Sequence, residues 1–253
     1  SQEEDEKGTS SGTLKNGTWE YNYDKTVLYI NGTGELVSSN VKNSDGTSAT
    51  SFAVVLGKSD SQKVDVVIGE GITSISSSSN IGNSKQIGTL SLPDSLTAIG
   101  KNTFYNAKID TVEFGSGLTM IDQKAFYGCQ LKQAYFPGDS KLEYIGDFAF
   151  YDNRFEDFNF PKSVTHFGQS SLYGAKYTEI DLTGFSPDTF FGGYLFRYCP
   201  ITSVNFGEIR TLGAYMFANT PLESVEIPST VEHIGSSAFA NCSSLKTVAL
   251  PDS

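Results

Sequence analysis

The chain has 253 residues and a formal net charge of −11, from 29 acidic and 18 basic residues. This acidic balance argues against a nucleic-acid-binding protein, because phosphate backbones attract basic surfaces, and against a polybasic membrane-binding patch. No apolar run approaches the roughly 18 residues that a membrane-spanning helix needs, so we predict no membrane span in this chain.

The N-terminal part of the chain divides into two predicted segments. Residues 1–16 are acidic, then rich in Ser, Gly and Thr, which predicts a flexible tether. In GTWEYNYDKTVLYINGTGEL (17–36), β-favouring residues alternate on either side of a central Asp-Lys pair, which predicts a β-hairpin. We interpret residues 17–62 as an N-terminal capping segment built on this hairpin.

From residue 63 onward, two short phrases recur at a nearly constant interval. The first has a Phe or Leu with an apolar residue five positions before it. The Phe or Leu positions, 21 to 24 residues apart, are Phe104, Phe126, Phe150, Leu172, Phe196, Phe217 and Phe239. The second phrase, apolar-x-x-apolar-x-apolar, is written IDTVEF at 109–114 and LESVEI at 222–227. A period of this length is typical of a solenoid of stacked units.

Each unit of the predicted solenoid contains a strand and a turn. In ITSVNF (201–206), alternation places Val204 and Phe206 in the core and Ser203 and Asn205 in solvent. At about 100° per residue, the IGxxAF phrase forms a short helical turn with its Phe inward and the next residue outward. The predicted fold class is an α/β solenoid over residues 63–253, with about eight coils, parallel strands on one face and short helical turns on the other.

The repeats resemble a known family. LESVEIPSTVEHIGSSAFANCSSLKTVALP (222–251) is similar to the BspA-like leucine-rich repeats of bacterial cell-surface proteins, and the resemblance covers about residues 63–253. It implies a leucine-rich repeat array, secretion, surface attachment and adhesion to molecules of a host or a neighbouring cell, without catalysis. We also expect a lipid anchor, in a segment outside this sequence.

Signals for catalysis and metal binding are absent from the sequence. There is no H-E-x-x-H, P-loop or G-x-G-x-x-G motif, so we predict a protein that is not an enzyme and has no cofactor or metal. Cys129, Cys199 and Cys242 share one column of the repeat. Since coils stack about 4.8 Å apart, Cys129 and Cys199, three coils apart, are too distant for a disulfide. His166 and His233 are equally far apart and cannot share a metal ion.

The strand face is the first candidate binding surface. Its outward columns bring together Asp157, Glu179 and Asp181 as an acidic centre, although carboxylates that only keep the face soluble are the alternative interpretation. Two strand exits are longer than usual, at 137–141 and 183–189, and insertions in repeat proteins often lie on the binding face. The residues that we predict to contact a partner are Tyr135, Asp157, Asn159, Glu179, Asp181 and Phe185.

A ladder of tyrosines is the second candidate surface. Tyr105, Tyr127, Tyr151 and Tyr173 recur one per coil on the predicted outer face. They can bind sugars or protein, with self-packing of neighbouring coils as the alternative. Two functions remain open: adhesion to an extracellular protein, of the host matrix or of another cell's surface, through the strand face, and glycan binding by a surface lipoprotein. The scarcity of aromatic residues on the strand face favours the first.

Overall fold

The computed structural model describes residues 9–37, 42, 45–46, 63–77, 81 and 86–252. In these residues the backbone forms β-strands and turns and contains no helix, and hence none that could cross a bilayer. The strands are β1 (Thr9–Leu14), β2 (Gly17–Asn22), β3 (Val27–Gly32), β4 (Gly34–Leu36), β5 (Val64–Ile68), β6 (Ile72–Ile75), β7 (Ile87–Ser91), β8 (Ala98–Ile99), β9 (Ile109–Glu113), β10 (Met120–Ile121), β11 (Gln133–Tyr135), β12 (Tyr144–Ile145), β13 (His166–Phe167), β14 (Glu179–Asp181), β15 (Phe190–Phe191), β16 (Ser203–Asn205), β17 (Thr211–Leu212), β18 (Ser224–Glu226), β19 (His233–Ile234) and β20 (Thr247–Ala249).

These strands wind into a β-solenoid of about seven turns. The repeat pattern predicted about eight coils, and the difference depends on whether the irregular first repeat is counted. The predicted strand face is present. Its strands run in the order β1-β2-β3-β5-β7-β9-β11 and continue with the pairs β14-β16 and β18-β20. Equivalent positions of successive repeats pair in parallel, as when Val112 lies between Leu90 and Ala134.

A second parallel sheet runs along the solenoid, and the sequence did not predict it. Its strands are two residues long from β8 onward and precede the turns. They stack in the order β15-β13-β12-β10-β8-β6-β4, followed by the pair β17-β19. The second residue of the two-residue strands is buried from β8 to β17, as at Ile121 and Ile145, whereas Ile234 in β19 is 40% exposed. The next position is often glycine because adjacent coils approach closely there. A Cβ on Gly146 would lie 2.6 Å from the backbone nitrogen of Gln123.

The prediction of short helical turns is wrong, and the backbone angles give the reason. In the segment after each two-residue strand, two residues four positions apart have a left-handed backbone, with φ of 57° at Asn102 and 55° at Asn106. The N–H groups of these two residues donate to the carbonyls of Gln123 and Tyr127 in the next coil, at 3.0 and 2.7 Å. A helix needs consecutive right-handed residues and bonds four residues back along the chain. Here every second N–H leaves the turn and bonds to the adjacent coil instead.

The inward and outward positions of the turns nevertheless follow the prediction. Phe104 is fully buried and Tyr105 is 42% exposed. The inward phenylalanines stack along the axis, with ring centroids 5.1 Å apart between Phe104 and Phe126 and 5.2 Å between Phe126 and Phe150. This aromatic column is the centre of the core.

The N-terminal strands extend both sheets at one end. β2 and β3 form an antiparallel pair, while β3 pairs in parallel with β5 and β4 with β6. The capping role predicted for residues 17–62 stays a prediction, and residues 38–41, 43–44 and 47–62 lie outside the described residues. The prediction of a flexible tether over residues 1–16 is wrong from residue 9, because β1 pairs with β2 along its whole length. Residues 1–8 also lie outside the described part.

One column of buried polar residues connects the turns to the strands. The three cysteines are free and lie in this column, and the Cys129 thiol donates to the Phe104 carbonyl at 2.9 Å. Asn153 takes the same place one coil later and is 1% exposed. Its Nδ2 donates to the Phe126 carbonyl and its Oδ1 accepts from the Leu131 N–H, both at 2.9 Å. The polar side chains of this column therefore form hydrogen bonds with backbone groups that neither sheet pairs.

Truncating two adjacent side chains tests the inward and outward assignment. Phe150→Ala should lower the free energy of unfolding by about 3–5 kcal/mol, because the ring is fully buried. Tyr151→Ala should lower it by about 2 kcal/mol or less, since Tyr151 is half-buried and mainly loses its three ring contacts. Urea unfolding measures both, and equal losses would contradict the assignment.

The buried amide of Asn153 should matter more than an exposed one. Asn153→Ala should lower the free energy of unfolding by about 2–4 kcal/mol, because it leaves a buried carbonyl and a buried N–H without partners. Ala175 occupies the same column, so alanine itself fits there. The matched control is Asn205→Ala, which removes an exposed bond to the Gly207 N–H and should cost about 1 kcal/mol or less. Similar losses in the two variants would argue against the buried bonds.

Candidate functional site

The strand ladder of the first face is interrupted in its middle. β11 pairs with β9, and the next strand on this face, β14, pairs with β16. The segment between them, residues 154–160, is described throughout and forms no strand. The interruption therefore separates residues 131–135 from residues 179–181 on the surface where the sequence predicts a binding site.

Phe158 gives a physical reason for the interruption. It occupies the inward position that Val112, Ala134 and Ile180 fill in neighbouring coils. Its ring is only half-buried and packs against several other aromatic rings, with centroid distances of 5.6 Å to Tyr177 and 5.8 Å to Phe185. A phenyl ring needs more room than an aliphatic side chain, so the backbone of this coil cannot lie against the core as a regular strand does.

Asn159 partly replaces the missing ladder. Its side-chain Nδ2 donates to the backbone carbonyl of Ala134 at 2.7 Å. At the start of the segment, the Arg154 N–H donates to the Leu131 carbonyl at 2.8 Å. The coil is thus held at its two ends, while the stretch between them departs from the ladder.

Two depressions lie on either side of this irregular coil. The first has a volume of about 690 Å³ and reaches from Asp110 and Lys132 across Tyr135 to Asp157 and Asn159. The second has a volume of about 390 Å³. It is lined by backbone and side chains of Glu156, Asp157, Phe158, Thr178, Glu179, Ile180, Asp181, Ser203 and Asn205. Together they form a shallow groove across the strand face.

The two depressions differ in charge. Lys132, Arg154 and Lys176 line the first, together with Asp110, Glu156 and Asp157, so that the charges there are balanced. These three basic residues were not predicted from the sequence. Arg154 and Lys176 directly precede the first residue of the recurring strand phrase, at Phe155 and Tyr177, so that column of the sequence indicates two of the three.

The second depression is acidic. Four carboxylates line it, from Glu156, Asp157, Glu179 and Asp181. The pKa of Asp181 is lowered, first because its carboxylate accepts the Thr183 N–H at 2.9 Å, then through the Thr183 hydroxyl and nearby Lys162. Asp181 therefore stays ionised at neutral pH. In the described part of the chain, no three His, Cys, Asp or Glu side chains are grouped so that they could hold a metal ion.

The structure brings together five of the six predicted contact residues. Tyr135 and Asn159 line the first depression, Glu179 and Asp181 line the second, and Asp157 lines both. Tyr135 is 50% exposed, and its hydroxyl is paired with the Gln133 side chain.

Phe185 is the exception, and the prediction that it contacts a partner is wrong. The lengthened strand exit folds its ring inward, where it is 3% exposed and packs against Phe158 and Phe167. The Lys162 ammonium lies over the ring, 4.3 Å from its centroid. Position in an insertion predicts exposure, but an apolar ring is stabilised more by burial in the core.

The tyrosine ladder forms as predicted, and its rings pack against one another. Tyr105, Tyr127, Tyr151 and Tyr173 stack with centroid distances of 4.8, 4.7 and 4.6 Å and interplanar angles between 6° and 16°. The faces of the inner rings are therefore covered by their neighbours. Only ring edges and hydroxyl groups of the inner tyrosines face solvent.

A second aromatic column, which the sequence analysis did not find, lies on the other sheet. The imidazole of His166 lies between the rings of Tyr144 and Phe190, at centroid distances of 4.5 and 4.7 Å. Burial lowers the pKa of His166, and Asp147 opposes this effect in part. The three residues begin β12, β13 and β15, so the second sheet itself positions them.

Comparison with known proteins agrees with this geometry. A stacked array of parallel strands with a repeat of 21 to 24 residues is typical of a leucine-rich repeat solenoid. The family described as "BspA type Leucine rich repeat region" matches residues 73–202 and 185–253, in 6 copies. The chain belongs to this family. Among curated protein sequences, none matches the chain.

Solved structures of leucine-rich repeat proteins are similar to this chain at low sequence identity. A leucine-rich repeat protein from Bacteroides ovatus is 18% identical, with a TM-score of 0.56 over 94% of this chain and 70% of that chain. A leucine-rich repeat protein from T. pallidum is 20% identical, with a TM-score of 0.49 over 92% of this chain and 90% of that chain. The similarity to the Bacteroides ovatus protein supports the solenoid fold alone.

A buried hydroxyl beneath the groove yields a stability test. The Tyr177 hydroxyl is fully buried and has no hydrogen-bond partner among the described residues. Tyr177→Phe should therefore leave the free energy of unfolding unchanged or raise it by about 1 kcal/mol, since phenylalanine already fills this column at Phe155. Tyr177→Ala, the control for the ring, should lower it by about 3–5 kcal/mol. A clear loss of stability in Tyr177→Phe would contradict the absence of a partner.

Proposed function

We propose that this chain is a non-catalytic protein-binding module, displayed at the cell surface through a lipid anchor, which binds an extracellular protein through its strand face. The single observation that carries the proposal is the interruption of the strand ladder at residues 154–160. It opens a groove in the middle of this face. The family resemblance supports the surface location and the absence of catalysis.

The composition of the groove favours a protein partner. Tyr135 supplies a half-exposed aromatic ring near its centre, and tyrosine and arginine are the side chains most often found in binding hot spots. Arg154 lies on the same depression, so an aromatic and a guanidinium are available together. The acidic second depression adds a requirement for basic groups on the partner. The partner is thus a protein that presents a basic patch beside apolar or polar side chains.

The alternative, glycan binding through the tyrosine ladder, fits the geometry less well. Sugars bind aromatic residues through the flat ring face, and the inner tyrosines of the ladder have both faces covered by neighbouring rings. The stacking accounts for these four tyrosines without a ligand.

Charge reversal in the groove tests the proposal. The wild-type chain should bind at least one protein in a panel of immobilised extracellular-matrix proteins, more weakly as salt rises, because opposite charges steer the encounter. The double variant Asp157→Lys/Glu179→Lys should bind that protein about tenfold or more weakly. Biolayer interferometry measures both effects.

A matched control separates the groove from net charge. Glu208→Lys/Glu232→Lys changes the net charge equally at two exposed carboxylates outside the groove and should bind like the wild type. Binding that survives in the groove variant would disprove the site. If only a Tyr105→Ala/Tyr127→Ala variant lost binding, the site would lie on the tyrosine ladder. The same conclusion would follow if the wild-type chain bound glycans on a parallel glycan array and none of the proteins.

A further inference from the structure

Arg197 takes the fifth place in the tyrosine column. Its guanidinium lies between two tyrosine rings, with Cζ 5.3 Å from the centroid of Tyr194 and 5.1 Å from that of Tyr198. Its Nε donates to Asn219 Oδ1 at 3.0 Å. In the described part of the chain, no carboxylate forms an ion pair with Arg197. The outer nitrogens of the guanidinium are thus held in position and left available for an anion.

The tyrosines around Arg197 occupy strained backbone positions. Tyr194, Tyr198 and Tyr215 have positive φ, at 61°, 63° and 52°. Tyr198 is the exception in its column, which in the other coils holds Asn106, Gly128, Asp152, Gly174, Asn219 and Asn241, whereas the column of Tyr194 and Tyr215 also holds Lys124 and Phe148. Asparagine and glycine adopt this conformation at low cost, whereas for a bulky side chain it is an outlier. Strain of this kind persists mainly at functional sites.

Tyr198 differs from the tyrosines of the ladder in what it exposes. It lies edge-on to Tyr173, with an interplanar angle of 70° and a centroid distance of 5.5 Å. It is 51% exposed. Its ring does not continue the parallel stack, so part of the ring face is open to solvent beside the Arg197 guanidinium.

We propose that Arg197 and Tyr198 form a second binding site, independent of the groove, for an acidic saccharide. The outer nitrogens of Arg197 donate two parallel hydrogen bonds to the carboxylate of the sugar, an arrangement that the planar guanidinium favours. The sugar ring packs on the open face of Tyr198. Tyr194 holds the other side of the guanidinium and is itself stacked on Tyr215, at 4.6 Å.

The backbone around the site favours a saccharide over an acidic peptide. One common mode of peptide binding adds an extended strand to a free backbone edge. Here the N–H groups of Tyr194, Phe196 and Tyr198 already donate to carbonyls of the next coil. The ligand must therefore be recognised by side chains. One guanidinium for a carboxylate and one open aromatic ring for a sugar ring match a single uronic acid unit.

Binding of a charged sugar and its uncharged form tests the site. The probe is oligogalacturonate, compared with its methyl ester, which keeps the sugar rings and removes the charge. The folded wild-type chain should bind oligogalacturonate and not the ester. Arg197→Gln should weaken binding about tenfold or more. Arg210→Gln is the matched control and should bind like the wild type, because Arg210 pairs with Asp188 elsewhere.

Tyr198→Asn distinguishes a ligand contact from a structural role. Asn219 holds the equivalent position in the next coil with φ of 58°, so the variant should be at least as stable as the wild type by urea unfolding while losing the saccharide. Loss of stability in Tyr198→Asn together with unchanged binding would overturn the proposal. So would equal binding of the methyl ester, no binding of oligogalacturonate, or unchanged binding by Arg197→Gln. Binding of poly-glutamate in place of oligogalacturonate would assign the site to acidic peptides instead.

Discussion

Hydrogen bonds between the backbones of adjacent coils are the constraint on which the rest of this molecule depends. They run along the solenoid on both sheets and also through the turns, where Phe104, Phe126 and Phe150 each donate an N–H to the following coil. Because equivalent residues then lie one coil spacing apart, each position of the repeat becomes a column. Aromatic rings in a column must stack, charges in a column must be neighbours, and one residue that does not fit affects the coils on both sides.

This constraint explains how much the sequence could predict. Periodicity alone identifies the columns, so the buried phenylalanines, the tyrosine ladder and the grouping of Asp157 with Glu179 and Asp181 follow from it. Periodicity does not determine the backbone conformation within a repeat. The phrase IGxxAF has an inward pattern that fits a helical turn, yet left-handed residues recur at its fourth position and again four residues later, where Asn106, Asn219 and Asn241 stand. A strand of two residues is also too short to be recognised from a sequence pattern. The second sheet and the stacking of His166 were therefore not predicted.

The two departures from prediction on the strand face, at Phe158 and Phe185, result from side-chain volume. Phe158 is apolar like the aliphatic residues of its column, so it matches the repeat pattern as well as Ile180 does. Only the size of its ring, packed against Tyr177 and Phe185, interrupts the ladder and produces the groove. Phe185 is the converse case, since an insertion that was expected to expose it provides enough chain to bury it. Local volume in a crowded core cannot be deduced from the order of apolar residues alone.

The sheet interruptions are staggered along the axis. On the first face, the described strands are unpaired between β11 and β14 and between β16 and β18, whereas on the second face the break falls between β15 and β17. Across the first break, β12, β13 and β15 remain continuous, and across the second-face break the pair β14-β16 does. Each break is therefore bridged by an intact ladder on the other side. Under a pulling or bending force, we expect the array to bend at the groove, where only one ladder is intact, without separating into two halves.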